Sequence, residues 1–310
     1  MQDLLDRLVS EARKLTVSGR PASYIPALAG VDPSLVGMAV ADGEGRLVES
    51  GDSRQPFSIQ SVSKVLALAL VLETRGEEAV FSRVGREPTG DPFNSIIRLE
   101  TSRLGKPFNP LINAGAIVVS SLLPGKNAEE RIRGLLSFVR QVLDDWDDGS
   151  SAPLAVDRDV ARSESETGFR NRSIAWFLKE RGLLEGDVDE ALATYFSQCA
   201  IRMDAAAMAR IGAAFAFDGL LPGGRRLMAA RHARIIKSLM MTCGLYDGSG
   251  DFGVEAGLPA KSGVGGGILA AARARFGIAA FGPALDERGN SVAGISMLAG
   301  LSRELDLFEL

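Results

Sequence analysis

Ser61 and Lys64, in Ser61-Val62-Ser63-Lys64 at the head of an apolar run, have the types and spacing for nucleophilic acyl chemistry. Residues three apart share a helical face, so the lysine amine can reach the serine hydroxyl. Burial or a nearby cation lowers a lysine pKa, and the neutral amine can then accept the serine proton. Backbone N–H groups left free at a helix N-terminus can stabilise an oxyanion. Alone, the motif is weak. Serine and lysine are common enough that S-x-x-K arises by chance on the order of once in such a chain, and an exposed helix lysine is the plain alternative.

A second group lies far downstream: Lys261-Ser262-Gly263, then Val264 and three glycines. K-[ST]-G on a strand edge, paired with an upstream S-x-x-K, is known from penicillin-recognising serine enzymes, and the two motifs together are far more specific than either. The glycines would let a substrate approach the backbone, or mark a bulge or tight turn. The chain has 14 Phe but only three Tyr, namely Tyr24, Tyr195 and Tyr246, each in a polar context, which favours a use for their hydroxyls. A half-buried phenol making one structural hydrogen bond is the alternative. Asn113, in NPLINAGAIVVSS, and Glu164 and Asn171, in RSESETGFRNR, could hold the ammonium and carboxylate of an amino acid. Glu164 and Asn171 stand seven apart, on nearly one face if that stretch is helical. From spacing alone, capping and surface solvation account for these three better.

Composition excludes other chemistry. Of 310 residues, 46% are hydrophobic and 24% charged, as in an ordinary globular protein able to build a core. With net charge −4 and dispersed Lys and Arg, nothing suits a nucleic-acid backbone. No apolar run approaches the ~20 residues of a membrane span, and the opening MQDLLDRLVSEARKL reads as an amphipathic helix rather than a signal peptide, so a cytoplasmic location is expected. Cys199 and Cys243 are too few for a disulfide framework or a cysteine-rich zinc site, and both are expected reduced and structural. The single histidine, His232, sits in a helix-like stretch and reads as solvated surface. A histidine-based triad and a His-ligated metal centre are both disfavoured, and no metal is expected. GVGGG fails both nucleotide-loop spacings, since Ala260 precedes Lys261-Ser262 and Ile268 stands where a third glycine would be.

The elements that must position these residues follow from pattern. A first helix ends near Gly19, and LVGMAVADGEGRLVESG alternates around a Gly-Glu-Gly turn, a hairpin signal. Val62 to Leu72 is too long an apolar run for a strand, so a buried helix is expected from close to Ser61 to Gly76. The middle, from about residue 77 to 222, reads as mostly helical, with NAEERIRGLLSFVRQVLDDW its clearest amphipathic stretch and no convincing strand. The tail offers two or three antiparallel strands and a closing helix. The expected fold is α/β (α+β), an antiparallel sheet flanked by helices with an inserted all-helical lobe. Residues 1–76 and 223–310 would form the sheet domain and 77–222 the helical one, with the ligand crevice between them.

Taken together, YIPALA, PFSIQSVSKV, NPLINAGAI, SE followed by RNR, YFSQCA, GLYDGSG and GLPAKSGVGGGI resemble, in order and spacing over nearly the whole chain, the serine-dependent glutaminase family of the β-lactamase/transpeptidase-like superfamily. The resemblance implies hydrolysis of L-glutamine to L-glutamate and ammonia, with no cofactor. Ser61 would be the nucleophile, Lys64 its base, and the N–H groups of Ser61 and Val264 the oxyanion hole. Tyr246 and Tyr195 would line the reacting centre and relay a proton to the departing ammonia. Tyr24, Asn113, Glu164 and Asn171 would grip the two ends of the substrate, Glu164 taking the ammonium. Lys261, as an auxiliary group, would depress the pKa of Lys64. A homodimer or homotetramer is typical of the family. Two alternatives remain at this stage. One is a penicillin-interacting carboxypeptidase or β-lactamase, against which stand the missing export signal and S-x-N or Y-x-N motif. The other is a catalytically silent amino-acid-binding protein on the same fold.

Overall fold

Helix α1 (Gln2–Arg13) buries Leu5, Leu8, Val9 and Ala12, a stripe at helical spacing that seats it on the rest of the chain. A 3-10 turn, Thr16–Ser18, carries the chain on to Gly19. The computed structural model describes residues 1–90, 105–146 and 154–308. Strands β1 (Gly37–Asp42) and β2 (Leu47–Gly51) form the expected antiparallel hairpin, with Val40 opposite Val48. Strand β3 (Phe57–Ser58) and a 3-10 turn, Gln60–Val62, lead into helix α2 (Ser63–Phe81). Within the span Ser63–Phe81 the helix breaks at Gly76, where φ is +78° and ψ 173°, so α2 is two helical stretches joined at a kink, the first ending where the sequence places its end.

The helical middle contains α3 (Asn113–Leu122), α4 (Ala128–Leu143), α5 (Arg158–Thr167), α6 (Phe169–Glu180), α7 (Val188–Cys199) and α8 (Ala205–Ala216). It also holds two strands that the sequence pattern hid, β4 (Ala155–Val156) and β5 (Ile201–Met203). These pair with β3 in a small antiparallel sheet ordered β3-β5-β4. Strands of two and three residues are too short to show a period of two. Side-chain carboxylates cap two of the helices that bear candidate residues: Asp157 accepts from the N–H groups of Asp159 and Val160 at the start of α5, and Asp187 from those of Asp189 and Glu190 at the start of α7.

After α9 (Ala230–Cys243) and α10 (Ser249–Ala256) come β6 (Ala260–Ser262), β7 (Gly267–Ala272) and β8 (Phe276–Phe281), then α11 (Val292–Leu305). The N-terminal hairpin and the three C-terminal strands share one five-stranded antiparallel sheet, ordered β2-β1-β8-β7-β6. Alternation along β1 sends Met38 and Val40 into a core with α1 and α11, and Ala39 and Ala41 into the larger core with α8 and the other helices. Helix α8 therefore lies on the sheet although its residues fall in the middle segment. Its sequence, AAAMARIGAAFA, is small enough for close approach, and every residue of it is buried. Among the described residues no helix is long and apolar enough to cross a membrane, and no group of three or more acidic, His or Cys side chains is placed to hold a metal ion.

Candidate active site

The 3-10 turn before α2 presents Ser61 to a cavity of about 140 Å³. Tyr24, Asn113, Glu164, Asn171, Tyr195 and Val264 line the same cavity, so residues spread over most of the chain converge there. Lys64, Tyr246 and Lys261 lie outside this lining. Lys64 stands one turn along α2 from Ser61, 1% exposed. Lys261 is wholly buried on β6. Tyr246, half-buried on the 3-10 turn after α9, hydrogen-bonds with the Ser61 side chain, and its Oη donates to the Ser262 carbonyl at 3.4 Å.

The backbone at the centre is unusual in two places. Gln60 and Tyr246 are non-glycine residues with φ of +49° and +57°, conformations that cost on the order of 1–3 kcal/mol and persist only where surroundings impose them. For Gln60 the surroundings are explicit: its Nε2 donates to Ser58 Oγ at 3.0 Å and its side chain also bonds Glu164. The glycine-rich loop after β6 clamps the same turn from the other side. A Cβ on Gly263 would stand 2.3 Å from the Ile59 carbonyl oxygen, and one on Gly265 1.8 Å from that of Ser58. The sequence suggested that these glycines admit substrate; what they admit is the chain segment carrying Ser61. Among the described residues, no backbone carbonyl in the surrounding turns takes up the N–H of Ser61 or of Val264.

Lys64 is held by two acceptors. Its Nζ donates to Asn113 Oδ1 at 2.7 Å and to the Leu111 carbonyl at 3.3 Å, and it lies 5.9 Å from the centre of the Tyr195 ring. Asn109 shapes this acceptor pair, its Oδ1 accepting from the N–H groups of Leu111 and Ile112 at 3.0 and 3.2 Å just before α3 begins at Asn113. Burial brings the Lys64 pKa down to about 8, against the opposing pull of Cys199 and Glu164. Lys261 is pushed well below the ordinary lysine range, first by burial and then by the charge of Lys64. Burial raises the Glu164 carboxyl to about 7, with the Gln60 hydrogen bond and Lys64 acting the other way. Its Oε1 is buried with no hydrogen-bond partner among the described residues. The Tyr246 phenol is pushed up to about 12 by burial, opposed by its Ser61 and Ser262 hydrogen bonds.

Capping and solvation do not describe the polar trio: Asn113 and Glu164 are buried, and Asn113 Nδ2 donates to Asn171 Oδ1 at 3.0 Å. Tyr24 stands 58% exposed at the cavity rim. Cys199, free and buried, also lines the cavity and hydrogen-bonds with Tyr195 one turn away on α7, so its surroundings are those of the site. Gln60 and Arg170 also line the cavity without having been singled out from sequence. Adjacency to Ser61 and to Asn171 was the only signal they carried. His232 does not line this cavity and is less solvated than expected, its Nδ1 in contact with the Glu73 carboxylate.

The antiparallel sheet with helices on both faces is of β-lactamase-like fold, and beside it a serine and a lysine one turn apart lie at a small cavity. The glutaminase family model matches residues 19–308. A glutaminase of Fusobacterium nucleatum is 47% identical over 307 residues, covering 99% of each chain. A probable glutaminase of Bacillus subtilis superposes with a TM-score of 0.91 at 37% identity, over 99% of this chain and 97% of that one. A B. subtilis glutaminase in covalent complex with 5-oxo-L-norleucine, formed by reaction with 6-diazo-5-oxo-L-norleucine, superposes at 0.89 with 36% identity, over 100% of this chain and 99% of that one. The chain belongs to the glutaminase family, and is an amidohydrolase acting on glutamine.

Proposed function

We propose that the chain hydrolyses L-glutamine to L-glutamate and ammonia through a γ-glutamyl ester on Ser61. The observation that carries the reading is Lys64, an almost fully buried amine one helical turn from Ser61, with only carbonyl-type oxygens as hydrogen-bond acceptors among the described residues. Burial without an ion pair favours the neutral amine, the state a general base requires. Ser61 Oγ gives its proton to Lys64 Nζ as it bonds the side-chain carbonyl carbon, and the N–H groups of Ser61 and Val264 receive the oxyanion. Collapse of the tetrahedral adduct expels ammonia, its proton returned from Lys64 by way of Tyr246 with Tyr195 bordering the path. Water then adds to the ester by the same route and frees glutamate. Lys261, its own pKa lowered by burial and by Lys64, is an auxiliary group that braces the Gly244–Tyr246 turn rather than a charge acting on Lys64.

Glu164 takes the substrate ammonium, which supplies a partner for its buried Oε1, unpaired among the described residues. Tyr24, Asn113 and Asn171 complete the grip on the amino acid. The crevice lies between a sheet lobe, made by residues 1–76 with 223–310 and joined by α8, and a helical lobe made by the rest of residues 77–222. A homodimer or homotetramer in the cytoplasm fits the surface: Phe169 and Trp176, seven apart on α6, are 74% and 59% exposed, an apolar pair suited to a second copy.

The test is release of ammonia from glutamine, with asparagine and glutathione alongside, by wild type and Ser61→Ala. The variant is expected to be inactive, and 6-diazo-5-oxo-L-norleucine to leave its adduct on Ser61 by peptide mass spectrometry. Wild-type-like release by Ser61→Ala, or an adduct elsewhere, overturns the reading.

A further inference from the structure

A neutral amine has two N–H bonds and one lone pair, and for Lys64 both N–H bonds are spoken for. Asn113 Oδ1 takes one at 2.7 Å and the Leu111 carbonyl the other at 3.3 Å. A tetrahedral nitrogen so held has one direction left. Asn113 is itself committed: its Oδ1 accepts from Lys64, and one of its two Nδ2 hydrogens goes to Asn171 Oδ1 at 3.0 Å, leaving a single N–H for any substrate. Its strongest engagement is therefore with the base rather than with the ligand.

We propose that Asn113 is a positioning residue: with the Leu111 carbonyl it aims the free valence of Lys64 Nζ at Ser61 Oγ, and through Asn171 it ties the base to the substrate-binding wall. The inference rests on Ser61 and Lys64 being nucleophile and base. When the Ser61 proton moves to Lys64, the new N–H occupies the position the lone pair held, and the other two stay on their carbonyls. Proton transfer then needs no turning of the amine, which is the advantage of a preorganised site. The ionisable groups around Lys64 are Glu164 from α5, Tyr195 and Cys199 from α7, Lys261 from β6, and Tyr246 through its bond to Ser61.

The variants Asn113→Asp, Asn113→Ala and Asn171→Ala separate positioning from binding. Asn113→Asp keeps size and acceptor but puts a carboxylate against the amine, which should favour the ammonium form by about one to three pKa units. In kcat at saturating glutamine, which reports groups in the substrate complex, its acid limb should move up by that amount. Activity at neutral pH should drop about tenfold for each unit and return at high pH. Asn113→Ala should lower kcat by about tenfold or more with a smaller change in KM. Asn171→Ala should act mainly on KM and leave the limb in place. An Asn113→Asp protein whose limb does not move, or whose activity does not return at high pH, overturns the inference, as does an Asn113→Ala protein changed in KM alone. Should Asn113→Ala fail to fold, the near-isosteric Asn113→Asp decides by itself. Failure of the underlying reading shows separately, as turnover by Ser61→Ala.

Discussion

Lys64 and Lys261 are two buried amines with nearly the same surroundings and different opportunities. Each is at most 1% exposed and each donates to two carbonyl-type oxygens, Lys64 to Asn113 and Leu111, Lys261 to Gly244 at 2.9 Å and Ser262 at 2.6 Å. Burial lowers the pKa of both, and Lys64 lowers that of Lys261 further. They differ in what fills the remaining direction. Lys64 lies one turn from a serine that opens onto the cavity, whereas Lys261 packs 4.4 Å from the centre of the Tyr246 ring. A depressed pKa therefore does not by itself identify a base. Access to a nucleophile distinguishes the two, and Lys261 is better placed to fix the Gly244–Tyr246 turn, whose Tyr246 carries a φ of +57°.

Replacing each lysine in turn is the hardest test of this contrast. Lys64→Met keeps most of the buried stem, and kcat should fall by roughly 10²–10⁴, the usual worth of a positioned base; stopped ammonia assays over a range of pH would measure it. An equal loss in Lys261→Met with folding intact would erase the distinction. Glu164→Gln should come next in size. Losing a charge-assisted contact worth about 1.5–3 kcal/mol should raise KM by roughly 10- to 100-fold, with kcat changed less. Lys261→Met is expected to show chiefly in stability. Two carbonyls lose a buried donor, at a cost of about 1–3 kcal/mol for each group left unsatisfied, readable as a lower denaturation midpoint, with kcat reduced by less than in Lys64→Met.

The smallest expected effect is on the pH profile of the unaltered protein. Lys64, lowered to about 8, is neutral above that value, so a limb of kcat should rise through pH 8. Glu164, raised to about 7, is ionised above that value, so KM should worsen as pH falls through 7. Both place the working range on the alkaline side. At pH 7 about one Lys64 in ten is neutral. A kcat that is flat from pH 6 to 9 would remove Lys64 as the base and leave the two lysines alike.

Sequence pattern was sufficient for the long elements, because burial imposes a pattern on them. The β1–β2 hairpin declares itself by alternation, and α2 and the longer C-terminal strands β7 and β8 by unbroken apolar runs bounded by glycines. Strands β4 and β5 do not, being held by pairing with β3 rather than by a face of their own. At the site, Ser61, Lys64, Lys261 and the tyrosines stood out because reactive residue types occurred at telling spacings or were scarce. Gln60, Arg170 and Cys199 carried no such mark.

The sequence by itself determined which residue types were available: a serine and a lysine one turn apart, a distant Lys-Ser-Gly, three tyrosines and a single histidine. Those are properties of local spacing and composition, and they need no fold to be read. The tertiary structure alone decided that Asn113 meets Lys64, that Glu164 is buried with one oxygen unpartnered among the described residues, and that the glycine loop presses on the Ser61 turn. Contacts between residues 49 positions apart or more, and the loss of solvent that shifts both pKa values, arise only when the chain closes on itself.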